Sequence, residues 1–201
     1  MKNYSFLILL LVAMLFSCKE KSKESESKPE IKKEMTAKEI LGNPDYLAIS
    51  YGGYRHVDHS IEPTLDELKD DMKLLSAMGI RILRTYKVHL PHASNVLKAI
   101  SELKKEDPSF EMYVMLGAWI DCKNAWTELE PIHNEESERN AVEIEEVVRL
   151  ANQYPDIVKV IAVGNEAMVK WAASYYVEPW VILKWVKHLQ NLKKEGELSK
   201  N

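Results

Sequence analysis

Asn165 and Glu166 close the stretch VKVIAVGNEAM (158–168), in which Val158, Val160, Ile161, Ala162 and Val163 make a mostly β-branched apolar run. Gly164 breaks that run, and an amide and a carboxylic acid then stand side by side at the mouth of a buried strand. A carboxyl group flanked by Val163 and Met168 is expected to lose part of its hydration. Desolvation disfavours the charged form and raises the pKa, so that a glutamic acid can protonate a leaving group near neutral pH. The neighbouring asparagine could hydrogen-bond a sugar hydroxyl beside the reacting carbon, a contact that strengthens in the transition state of glycoside hydrolysis. The bland alternative is that both residues cap the segment that follows.

Such a pair needs a scaffold that gathers strand ends, and the chain alternates strand and helix from about Pro44 onward. Strands are predicted over 46–53, 80–86, 110–119 and 157–164. Helices are predicted over 63–79, 93–106 and 135–153, with a last one opening at Pro179. In the first helix Thr64 and Glu67 make a capping box, Leu65, Leu68, Met72 and Leu75 share a face, and Gly79 ends it. Val96, Leu97, Ile100 and Leu103 do the same for the second helix, and Ala141, Ile144, Val148 and Ala151 for the third. Ile182, Trp185, Val186 and Leu189 mark the inner side of the fourth.

Successive βα units imply an α/β class with a parallel sheet, either open and doubly wound or a (β/α)8 barrel. SYGGYRHVDHS, after the first strand, has neither the dinucleotide fingerprint nor a P-loop, which counts against a nucleotide-binding fold. Tyr51 and Arg55, Arg84 and Tyr86, Trp119 and Asp121, and Asn165 and Glu166 all fall at C-terminal strand ends. In a barrel that rim carries the active site. The expected fold is therefore a partial (β/α)8 TIM barrel of about four βα units.

With 201 residues, 46% hydrophobic and 29% charged, and a net charge of −4, the chain has the proportions of a globular domain. No basic stripe interleaved with aromatics suggests nucleic acid. Residues 1–18 read as an export signal: Lys2, then FLILLLVAMLF, then LFSC, which resembles a bacterial lipobox with Cys18 as the lipidated residue. An ordinary signal peptide or an uncleaved anchor would share much of that pattern. Residues 19–34, KEKSKESESKPEIKKE, are nearly charge-balanced with almost nothing apolar, and 19–43 read as a charged flexible tether. The expected location is a bacterial membrane, on the outer-membrane, periplasmic or cell-surface face. Cys122 is the one other cysteine, so no intrachain disulfide is expected.

AISYGGYR, GIRILRTY, YVMLGAW and VIAVGNEAM, in that order over about residues 46–170, resemble glycoside hydrolase family 17. These are β-1,3-glucanase-type enzymes of the retaining-glycosidase clan. The resemblance implies that Glu166 is the acid/base and Asn165 its partner at the substrate 2-hydroxyl. It matches Tyr51 to an aromatic beside the cleaved sugar, Arg84 to the arginine paired with the nucleophile, and Tyr86 to the same floor. Trp119 and Asp121 at the third strand end are further substrate-binding candidates, with Asp121 a structural group in the alternative. No cofactor or metal is implied.

A retaining enzyme needs a second carboxylate about 5–5.5 Å from the first, and in this family it comes from strand seven. The sequence runs to Asn201, whereas a full barrel takes about 250 residues. No nucleophile can be named; Glu178 reads as a cap for the last helix. This chain alone is therefore expected to be inactive on laminarin-like β-glucan, and its outer strands and inward apolar side chains to invite association. The rival readings are a non-catalytic glycan-binding lipoprotein, a β-glucan transglycosylase, and a metal-dependent barrel hydrolase using His56, Asp58, His59, His89 and His92. The loop 170–180 gathers Trp171, Tyr175, Tyr176 and Trp180, which with Trp126 would stack on sugars or simply pack. Of these, Trp171 is the substrate-binding candidate.

Overall fold

The computed structural model describes residues 35–198. The leader over 1–18, Cys18 and the tether as far as residue 34 lie outside the described residues. In chain order the elements are α1 (Ala37–Ile40), β1 (Leu47–Ser50), α2 (Leu65–Ala77), β2 (Ile80–Arg84), α3 (Pro91–Glu106) and β3 (Tyr113–Ala118). There follow β4 (Cys122–Lys123), β5 (Ile132–Glu136), α4 (Arg139–Gln153), β6 (Val158–Val163) and α5 (Pro179–Glu195).

Local chemistry sets most of these limits. The Thr64 hydroxyl accepts from Glu67 N at 3.2 Å, and the Glu67 carboxylate accepts from Thr64 N at 2.8 Å. Two otherwise unpaired donors of the first turn of α2 are thereby satisfied, and Leu68 and Met72, a turn apart, are fully buried. Gly79, at φ 85°, then turns the chain into β2, a backbone that costs glycine no steric penalty. Pro91 opens α3, whose Val96, Leu97, Ile100 and Leu103 are buried.

Strands β1, β2, β3 and β6 form one parallel sheet in that order. Side chains alternate between its faces. Leu83, Val114 and Leu116 join Leu68, Ile100, Ile144 and Val181 in the core between sheet and helices. Ile82 and Tyr113, paired in register, point to the other face, where Ile40 of α1 seals them. That four-stranded parallel sheet with alternating helices is the predicted partial barrel. Among the described residues β1 and β6 are its outer strands, and Leu47 and Ile49 of β1 are exposed.

Two boundaries differ from the prediction by more than three residues. The tether was expected to reach residue 43, yet α1 lies within it and Ile40 is buried, so the folded part starts before Pro44. The third helix was expected from 135 but starts at Arg139. Residues 132–136 instead pair antiparallel with β4, and Glu136 accepts from Trp185 Nε1 at 2.8 Å while pairing with Lys184. Those partners lie far off in sequence, and a polar run such as PIHNEESE shows no apolar period that would reveal them.

One glycine matters to the site. A Cβ on Gly117 would meet the Thr85 carbonyl oxygen at 2.4 Å and Tyr86 backbone atoms at 2.7 Å. Only a residue without a side chain lets the end of β3 press against the chain leaving β2. Gly117 N also donates to the Thr85 hydroxyl at 3.1 Å, which locks the contact.

Candidate active site

Arg84, the last residue of β2, and Asn165, just past β6, meet across the strand that separates them: Arg84 Nη2 donates to Asn165 Oδ1 at 2.8 Å. A guanidinium carries donors alone, so the amide oxygen must face it and the amide nitrogen is left to donate elsewhere. The same guanidinium lies 5.3 Å from the centre of the Tyr86 ring. Arg84, Tyr86 and Asn165 are thus brought together at the C-terminal rim.

Glu166 follows with φ 51°. Among the described residues three non-glycine residues have positive φ: Asn124 and Trp126, just past β4, and Glu166, just past β6. A bulky side chain held there stores strain that surrounding structure must impose, and such strain concentrates at functional sites. The Glu166 side chain is exposed, which corrects the expected apolar enclosure. Val163 packs toward the helix-side core, and Met168 is itself 54% exposed, so neither wraps the carboxylate. What does reach it is Tyr175, 8% exposed. Burial first, then the Glu166 charge and a hydrogen bond to it, raise the Tyr175 phenol above its ordinary value.

Tyr175 begins an aromatic run. Its ring centre is 5.3 Å from Trp119 and 4.9 Å from Trp126, the latter pair stacked at 22°. Beyond them a cavity of about 610 Å³ opens between the loop after β2, the loop after β3 and the first turns of α4. Asp121 lines it at 2% exposure, with Oδ2 bound by Arg139 at 2.9 Å. Burial raises the Asp121 carboxyl above its usual range, with Arg139 opposing. Polar hydrogens of Ser137, Trp119 and Trp126 also act on this carboxylate, yet its Oδ1 has no partner of good geometry.

Glu143 of α4 went unnoticed in the sequence, where it reads as one more helix acid. It is buried, and its carboxylate accepts from Val88 N at 2.7 Å, His89 N at 3.0 Å, His89 Nδ1 at 2.9 Å and Trp119 N at 3.0 Å. One side chain thereby ties the loop after β2 to the end of β3.

The remaining candidates are placed differently. Tyr51 is buried, stacked near His92, and its hydroxyl donates to Asp71 at 2.6 Å, so it packs under the rim instead of lining an open floor. Trp171 is 71% exposed, Tyr176 stacks on His133 at 3.6 Å, and Trp180 lies exposed on α5. Glu178 occupies the N-cap of α5 without a side-chain capping bond. His59 stacks on Tyr54, His89 is bound by Glu143, and His92 is buried against Tyr51 and Tyr54. Among the described residues no group of three His, Cys, Asp or Glu could hold a metal ion. Cys122 is a buried thiol in β4.

The chain is similar to a solved endo-laminarinase from Formosa Hel1_33_131, at 69% sequence identity and a TM-score of 0.82. That likeness covers 83% of this chain and 42% of the enzyme, so the chain spans under half of its relative's length. No protein-family model matches the chain, and neither does any curated protein compared with it. Among the described residues no helix is long and apolar enough to cross a membrane.

Proposed function

We propose that this chain supplies the acid/base half of a retaining glycoside hydrolase of the family 17 type, acting on β-1,3-glucan. The observation that carries the reading is the Arg84–Asn165 bond at 2.8 Å, which aligns an amide donor immediately before Glu166 on a strand-end rim. The relative's being an endo-laminarinase supports the choice of substrate.

In this reading Glu166 protonates the glycosidic oxygen as the bond breaks, and later takes a proton from the incoming water. Tyr175 donates to its carboxylate and limits where it can point. Arg84 holds the Asn165 oxygen, and the free amide N–H group of Asn165 meets the sugar 2-hydroxyl. The nucleophilic carboxylate that double displacement requires is not assigned among the described residues.

A chimaera tests this. The matching residues of the endo-laminarinase are replaced by residues 46–170 of this chain, and laminarin hydrolysis is followed by reducing-end release. The chimaera is expected to be active and its Glu166→Gln form inactive. A folded chimaera that binds laminarin without cleaving it would favour the non-catalytic reading instead. The 201-residue chain by itself is expected to show no hydrolysis; turnover abolished by Glu166→Gln would overturn that. The proposal also includes a lipid anchor at Cys18, for which membrane fractionation of the Cys18→Ser form is the check.

A further inference from the structure

Among the described residues the parallel sheet stops at β1 on one side and at β6 on the other. Tyr51 N donates inward to the Arg84 carbonyl, and Gly164 N to the Ala118 carbonyl. Successive residues of a strand turn their N–H and C=O groups to opposite sides, so Ser50 and Ala48, and Val163 and Ile161, direct theirs to the open edges. Such a row is a template for a further strand. Both flanks are also apolar. Leu47 and Ile49 of β1 are exposed, and so are Leu74 and Met78 at the end of α2. Lys69 of α2 reaches Glu102 and Glu106 of α3, and Met78 lies about half a turn round the helix from Lys69, on the flank turned away from α3. Along the other edge runs a groove of about 250 Å³, lined by Val158, Ile161 and Val163 of β6 and by Val186 and Leu189 of α5.

Four parallel strands are half of a closed barrel, since about eight enclose an interior that side chains alone can fill. The position beyond β6 is then related to β1 by a half-turn about the barrel axis. A second copy turned by that amount brings its β1 beside β6 and its β6 beside the first copy's β1, both parallel, and the two contacts close the ring. The faces agree as well. Ile49 pairs in register with Leu83, and Ile161 with Leu116, all on the helix side of the sheet. The match sets Leu47 and Ile49 of one copy beside Ile161 and Val163 of the other, and the free flank of α2 toward the groove along α5. Strand number, rotation and facing thus close with this sequence alone. We infer that two copies of this chain assemble into one eight-stranded barrel, β1 of each paired with β6 of the other. Each Glu166 rim then borders the loop after β1 of the other copy. The inference does not rest on the glucan reading.

The test is sedimentation of the 201-residue chain in a mild detergent, which occupies the apolar leader, together with amide hydrogen exchange. The wild type is expected to be a discrete dimer with slow exchange at Ala48, Ser50, Ile161 and Val163. Leu47→Lys combined with Met78→Lys places charge on one flank at two exposed positions. That variant is expected to keep its circular dichroism, to sediment as a monomer, and to exchange those four amides about tenfold faster or more. Val142→Lys, exposed on α4 beside the loop after β2, should remain a dimer. A wild-type monomer overturns the inference, including one whose edges are protected by another segment of the chain. An open series of polymers overturns it too, as does a dimer with fast exchange at either edge, the result expected of association through the leader. A double variant that stays a dimer with slow exchange does the same.

Discussion

Arg84 and Asn165 stand 81 positions apart in sequence and share one hydrogen bond of 2.8 Å over an intervening strand. The bond couples the ends of two strands that are not neighbours in the sheet. It also decides which end of the Asn165 amide faces the cleft, because the guanidinium can only donate. In the proposed reaction the amide donor would therefore be set by an arginine that need not touch the sugar itself.

Removing that arginine should uncouple the amide. In the chimaera, Arg84→Ala is expected to lower kcat by about 10²-fold, the scale seen when a transition-state donor is lost. Arg84→Lys should recover part of this, since a single ammonium can still donate to Oδ1 but cannot hold it in a fork. Unchanged turnover in Arg84→Ala would show that Asn165 is oriented by something else.

Acid catalysis matters most for a poor leaving group. Glu166→Ala in the chimaera should therefore lose about 10²- to 10⁴-fold on laminarin and far less on an activated aryl glucoside, which departs without protonation. Azide, needing no general base, should restore turnover of the activated substrate. Equal losses on both substrates would remove Glu166 from the acid/base role.

Glu143 predicts a stability effect distinct from catalysis. Glu143→Ala would leave the Val88, His89 and Trp119 N–H groups without their acceptor. The expected cost is about 2–4 kcal/mol, from several unsatisfied donors and a small void. Urea unfolding of the purified chain measures it. A midpoint within error of wild type would mean that the loop after β2 does not depend on this carboxylate.

His92 gives a pH dependence. Burial lowers its pKa below the ordinary 6.5, with Lys87 and His59 adding to the shift and a Gly52 backbone bond opposing it. The unfolded chain then binds the proton more readily than the folded one, so stability is complete above about 6.5 and is lost as pH falls through the folded value. The drop in unfolding midpoint between neutral and mildly acidic buffer should be smaller in His92→Phe than in wild type. Parallel profiles would refute the assignment.

Gly117→Ala is expected to be poorly tolerated, because the added carbon would meet backbone atoms of Thr85 and Tyr86 that cannot swing aside. A loss of about 3 kcal/mol or more is expected, the upper end for overpacking. Thermal melts of the soluble fraction report it.

Much of the scaffold is written in local patterns. Leu65, Leu68, Met72 and Leu75 recur at helical spacing, the Thr64–Glu67 box starts their helix and Gly79 ends it, and all of this needs only neighbours in the chain. The β-branched run ending at Val163 likewise announces a covered strand, and the polar residues after it announce a rim. The hairpin of β4 and β5 and the buried acid Glu143 were illegible for the opposite reason. Glu143 takes its meaning from Val88, His89 and Trp119, and β5 from Cys122 and Trp185, all remote partners.

The amino-acid order by itself determined a parallel α/β scaffold and placed an amide and an acid at the end of its last strand, because periodicity and capping act over a few residues. Only the tertiary structure decided that Glu166 stands exposed and held by Tyr175, that Tyr51 is spent on Asp71, and that Asp121 is buried against Arg139. Burial and pairing of a polar group depend on which distant segments arrive beside it, and no local pattern carries that information.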